Sequence, residues 1–271
     1  MEFLLEPLEY EFFRRGLLAA LMVGVSGGLI GVYVVLRGMS YVGHGLSHAA
    51  IGGAIIGFTL NLNFYAGACG MGLMAILVIN KITKNNKIKL DAAIGIVTTA
   101  IFALGVAIVS KLRNFKQNFE AALFGNILGI TDQDLMIIGL VAATTLITMF
   151  FAYRALLFST FDNEAARIFG IQTESVQLLF SLLLTLSVIA SLNVIGVTMV
   201  AATLIAPAMT ARMLTDSFSR MIVYSTLIGS VTGLVGMYLS YIFNVASGAT
   251  IVLSSALLFG LSLLAKPLRN P

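Results

Sequence analysis

Charge is scarce in this sequence. Only 10% of its 271 residues are Asp, Glu, Lys or Arg, while 59% are hydrophobic. A soluble globular chain carries about a quarter charged residues, so a water-soluble fold is excluded. Cysteine is nearly absent as well. Cys69 stands alone, which rules out a disulfide framework and a thiolate metal site and leaves a small packing residue. The N-terminal stretch carries Glu2, Glu6, Glu9 and Glu11 instead of a basic segment, and the first apolar run is long enough to span a bilayer. No cleavable signal peptide is therefore expected. No G-x-x-x-x-G-K-[ST] phosphate loop occurs, so the chain is not expected to hydrolyse nucleotide itself. The long apolar runs also lack carboxylates. Ion-coupled carriers and proton pumps usually need an intramembrane acid, so the energy source is expected to lie outside this chain.

What remains is a succession of continuous apolar runs. They do not alternate in polarity, which favours a helical bundle over a β-barrel. The chain is expected to be an all-α integral membrane protein, a polytopic bundle forming one domain over 1–271. Residues 1–13 mix acids with aromatics and read as a segment along the membrane surface. The first span covers 16–36, where Gly24, Gly27, Gly28 and Gly31 give spacing for close helix approach. Residues 38–80 hold two spans broken at Asn61-Leu62-Asn63, and a fourth covers 92–110. A polar connection over 111–134 has a short apolar middle, 121–130, that reads as a surface or re-entrant helix. The fifth span covers 135–153. Two more lie within 174–212, broken near Asn193 and Gly196, with a kink expected at Pro207. The last two lie within 220–266.

The count is nine spans, or eight if one run is re-entrant. With the N-terminus outside and the C-terminus cytoplasmic, eleven of the 16 Lys and Arg residues fall on the inner side, as the positive-inside rule requires. Arg14, Arg15, Lys111, Arg113 and Lys116 are left outside. Basic residues confined to short loops need no nucleic acid to explain them.

Only two histidines occur, His44 and His48, and both fall inside an apolar run. On a helix they are i and i+4, so the imidazoles share one face, one turn apart. An ionisable group at membrane depth marks a functional site, and two stacked imidazoles suit a divalent transition metal. The alternative is a pair of neutral imidazoles bonded to neighbouring carbonyls. Between the fifth and sixth spans, 162–171 reads as a short capped helix: Asp162 as N-cap, Glu164 in the first turn, Gly170 as the stop. Such a helix could dock into a partner; a solvated connector is the other reading.

Three stretches carry a resemblance. Met39 to Ala49 is similar to a hydrophobic-G-D-x-[LI]-S-H-A segment. Glu164-Ala165-Ala166 with Gly170 resembles a coupling loop, and Val194 to Arg212 resembles V-G-x-x-[LM]-V-x-[AS]-x-L-[IL]-x-P-A-x-[TA]-A-R. All three belong to the membrane permeases of ABC importers for zinc, manganese or iron. The resemblance implies a homodimer with the pathway along its axis, two cytoplasmic ABC ATPase subunits, and an extracytoplasmic metal-binding protein. The cargo would be a divalent metal, manganese first and zinc or iron next, with no tightly bound cofactor, in a bacterial cytoplasmic membrane.

The Asp and His of the family's first motif are taken to hold the metal. His48 falls on that His, and His44 falls on that Asp, a departure that removes a charge and softens the site. Two imidazoles suit zinc or ferrous iron better than manganese, whereas the segment as a whole looks like the manganese branch. Ser47 and Asn193 are candidates for lining the path, or else bond between helices. Asp162, Glu164, Ala165, Ala166 and Gly170 would couple to the ATPase. Arg113 and Lys116 would meet acids on the delivery protein, if they meet a partner at all. One rival is a secondary carrier working without an ATPase. Another is an intramembrane hydrolase, which lacks here the glutamate that zinc proteases place between their histidines. A structural or receptor membrane protein is the third.

Overall fold

The computed structural model describes residues 5–84, 88–111, 123–125 and 127–265; Arg113 and Lys116 lie outside them. After a 3-10 turn at Glu6–Glu9, the helices are α1 (Glu11–Leu36), α2 (Val42–Thr59), α3 (Phe64–Thr83), α4 (Leu90–Lys111), α5 (Asp132–Phe151) and α6 (Tyr153–Phe161). They continue as α7 (Asn163–Ile168), α8 (Thr173–Ile195), α9 (Val200–Leu214), α10 (Phe218–Phe243) and α11 (Ser247–Ala265). No strand occurs among the described residues.

Local chemistry sets the helix ends. The Asn63 side chain accepts the Ala66 N–H at 2.7 Å to start α3, and Thr131 and Asp134 form a reciprocal capping box at the start of α5. Helix α1 stops at Gly38, whose φ is +66°. The Gly38 N–H bonds to Val35 O and the Met39 N–H to Val34 O, the paired closure of a Schellman turn.

Seven helices, α1, α3, α4, α5, α8, α10 and α11, are long and apolar enough to cross a membrane. Helix α2 has 18 residues, ~27 Å of rise, but its histidines and glycines dilute its apolar character. Helix α9 is shorter, 15 residues with Pro207 inside it, ~22 Å. Every expected span thus contains a helix, with seven meeting the length and hydropathy needed for a span.

Two expectations change. Residues 11–13 belong to α1 instead of a surface segment, because Phe13 finds a site against Tyr238 and Tyr241, at ring separations of 5.2 and 5.5 Å, and is buried. Asp132 and Asp134, expected in the polar connection over 111–134, instead occupy the first turn of α5, as Asp91 and Glu174 do in α4 and α8, where the helix dipole favours a carboxylate.

Glycine governs how closely the helices approach. Gly24 of α1 faces Gly229 of α10 backbone to backbone, Gly28 faces Ser225, and Ala20 faces Gly233. The Ser225 hydroxyl donates to Gly28 O at 2.6 Å. Helix α2 is gripped similarly, with Gly52 against Gly105 of α4 and Gly53 against Gly67 of α3. Small residues on facing helices are how apolar helices gain contact where no hydrophobic effect drives them together.

The two ends of the bundle are polar. At one, Arg15 bridges Glu11 and Asp132 at 2.7 Å each. At the other lie Arg37, the Lys84–Glu174 pair at 2.9 Å, and the α6–α7 segment. Between them the outward faces are apolar, with Leu104, Leu140, Ile147, Leu227 and Leu257 all exposed, a surface suited to lipid chains.

Candidate metal site on the second helix

Both histidines lie in the first two turns of α2. Three neighbours fix those turns: Gly43 packs on Ala201 and Leu204 of α9, Gly45 on Ile94 and Thr98 of α4, and Ser47 is fully buried. The Ser47 hydroxyl points to two carbonyls, His44 O at 2.8 Å and Val197 O at 3.0 Å. Val197 belongs to the loop between α8 and α9, where Gly196 turns the chain with φ +87°. That loop is itself held, because Thr198 donates from Oγ1 to Leu123 O at 2.9 Å.

The imidazoles meet through their outer nitrogens. His44 Nε2 and His48 Nε2 are 3.2 Å apart, with the rings nearly perpendicular at 88° and centroids 4.6 Å apart. Phe102 of α4 backs His48 at 5.0 Å. His44 is exposed and His48 half-buried. One neutral ring can donate to the other at this distance, and a metal can replace that proton. Metal–nitrogen bonds of ~2.1 Å set adjacent ligand atoms ~3.0 Å apart at a right angle and ~3.4 Å at the tetrahedral angle. The observed separation lies between the two.

Among the described residues no three His, Cys, Asp or Glu side chains come together as a metal site, so the described residues offer two nitrogens. His48 Nδ1 is buried with no hydrogen-bond partner, whereas a resident metal's imidazole almost always donates from its second nitrogen. A pair of neutral ligands without an outer shell suits transient holding better than tight storage.

Asn193, at the far end of α8, bonds elsewhere. Its Nδ2 donates to Tyr65 Oη at 2.9 Å and to Asp134 Oδ1 at 3.3 Å, and Tyr65 donates to Asp134 Oδ1 at 2.6 Å. Thr131 fills the other carboxylate oxygen. This cluster ties α3, α5 and α8 together, and the sequence pattern alone did not single out Tyr65 or Asp134. Ser47 Oγ and Asn193 Nδ2 are both engaged between elements.

The 162–171 stretch forms a capped helix. Asp162 Oδ1 accepts the N–H groups of Glu164 at 3.0 Å and Ala165 at 2.9 Å. Ala166 is buried, and Gly170, at φ +78°, ends the turn. Ile168 and Phe169 stand out at 84% and 74% exposure. A cavity of about 340 Å³ opens beside them, lined by Arg167, Ile171, Gln172, Thr173, Glu174 and Ser175.

The model of the family described as the ABC 3 transport family matches residues 9–266. The chain belongs to that family. It is a permease of the metal ABC importer kind and a multi-pass protein of the bacterial cytoplasmic membrane. Among its relatives, the manganese transport system membrane protein MntC of Listeria monocytogenes is 36% identical over 98% of this chain and 95% of its own length. A probable iron transport system membrane protein of Haemophilus influenzae is 33% identical, over 97% and 96%. The solved structure of PsaBC from Streptococcus pneumoniae in complex with Fab superposes with a TM-score of 0.86 at 34% identity, covering 96% of this chain and 94% of that one.

Proposed function

We propose that this chain is the membrane-crossing subunit of an ATP-driven importer, passing a divalent transition metal between His44 and His48. The 3.2 Å approach of the two Nε2 atoms carries the reading. Manganese is the first cargo, supported by the MntC likeness, with iron or zinc next, supported by the iron-transport relative and by the two nitrogen ligands.

The whole chain acts as one permease domain. All nine apolar helices, α2 and α9 included, cross the bilayer, with the N-terminus outside and the C-terminus cytoplasmic. The histidine turns of α2, packed on Ile94 and Thr98 of α4, then lie within the membrane, where His44 exposed to lipid would be costly. A second copy of this chain, packed across that face, removes the exposure and can add ligands to the ion. Each histidine binds as a neutral imidazole, and release follows when the helices that grip α2 move.

Helix α7 is the contact for a separate cytoplasmic ATPase. Its rigid caps and exposed Ile168 and Phe169 support that role, as does the cavity beside it. An extracytoplasmic binding protein delivers the metal at the opposite face. The test is uptake of radioactive manganese by cells or vesicles holding the permease and its ATPase: His48→Ala is expected to abolish it while the complex still assembles. Uptake at the normal rate would overturn the site. A secondary carrier is the rival, and flux through the purified chain alone, without ATP, would establish it.

A further inference from the structure

Arg37 sits where α1, α6 and α8 converge, and each of its three nitrogens has its own acceptor. Nε donates to Thr160 Oγ1 at 3.0 Å, Nη2 to Ser159 Oγ at 2.9 Å, and Nη1 to Gln177 Oε1 at 2.6 Å. The Phe180 ring lies under the guanidinium at 4.4 Å, a cation–π contact. No carboxylate takes part among the described residues. Burial pushes this guanidinium down to about 10, so it remains charged at neutral pH.

The acceptors are aimed. Thr160 and Ser159 donate their own hydroxyl hydrogens back to Leu156 O, at 2.6 and 3.1 Å, leaving lone pairs fixed toward Arg37. Both belong to the last turn of α6, immediately before Asp162, the N-cap of α7. On its other side Arg37 is the C-cap of α1, locked by the Gly38 Schellman turn. The chain from there to α2 is short and held. Met39 is buried, and the Val42 N–H bonds to Met39 O at 3.0 Å.

We propose that Arg37 is the positioning residue that passes displacement of the α6–α7 segment to the first turns of α2, and so to His44 and His48. This rests on the reading of α7 as the ATPase contact and α2 as the metal helix. A planar fork holds three acceptors in fixed directions, so a shift of α6 must carry the Arg37 turn with it or break those bonds. Neutral acceptors suit such a joint, because no buried ion pair has to be separated when the bonds rearrange.

The test uses the assembled permease–ATPase complex in vesicles, with manganese uptake and ATP hydrolysis measured together. Arg37→Lys, Arg37→Gln and the double variant Ser159→Ala/Thr160→Val are compared with the unaltered complex. The expected result is a fall of at least ~5-fold in ions moved per ATP, the low end of ordinary coupling effects, with hydrolysis sustained. If both rates fall in proportion, as a packing defect would cause, or if the ratio holds, the link is overturned. The double variant leaves the α1 turn intact and gives the ratio should the Arg37 variants not assemble. If the unaltered complex shows no ATP-dependent uptake, the transport reading itself fails, a result distinct from loss of ratio.

Discussion

His48 presents its Nε2 to His44 Nε2 at 3.2 Å while its Nδ1 is buried and unpartnered. One nitrogen of this ring therefore faces the other imidazole, and the other contributes no hydrogen bond. Removing the ring should cost transport far more than stability. His48→Ala is expected to lose manganese uptake, with the amount of protein in the membrane unchanged. His44→Asp, which places a carboxylate at that position, should keep transport and shift preference toward manganese over zinc, since carboxylate oxygen suits manganese. Competition uptake with both metals checks this; an unchanged preference would argue that His44 does not touch the ion.

Protons compete with metal for the same nitrogens. Because an imidazole must be deprotonated to ligate, uptake should fall as the medium is acidified. Initial rates between pH 8 and pH 5 read this directly, and a flat profile would exclude ligation by both rings.

Asp162 accepts two backbone N–H groups at the start of α7. Asp162→Ala should weaken that short helix by about 1 kcal/mol, the usual worth of an N-cap. Co-purification of the ATPase should drop accordingly, while Asp162→Asn, which keeps an accepting oxygen, should retain it.

Gly24 and Gly229 touch backbone to backbone. Gly229→Leu would force α1 and α10 apart, and overpacking of this kind typically costs 1–3 kcal/mol or more. Thermal unfolding in detergent should show a lowered midpoint; no change would mean the two helices do not approach as described.

Much of this arrangement was legible in the sequence because it is local. The breaks at Asn61–Asn63 and near Asn193 and Gly196 are turn chemistry, and each coincides with a helix end in the structure. The i, i+4 spacing of the histidines needed only a helix to bring them together. The α1–α10 glycine contact was half-visible: Gly24 and Gly28 announced a close partner, but nothing in the pattern named Gly229 or Ser225. Arg37, Tyr65 and Asp134 escaped notice for a similar reason. Their partners are 59 to 140 positions away in the chain, and a lone polar residue beside an apolar run gives no sign of what will face it. Phe13 was misplaced because its amphipathic neighbours suggested an interface, while its aromatic partners come from α10.

The Ser47 hydroxyl ties the His44 backbone to Val197, 150 residues further along. A side chain on a main chain stapled in this way can turn about its own bonds but cannot travel by itself. Handing an ion onward then becomes a matter for whole helices sliding against each other, so the rate of passage should follow the slow gating of the bundle and not the quick flicker of a side chain.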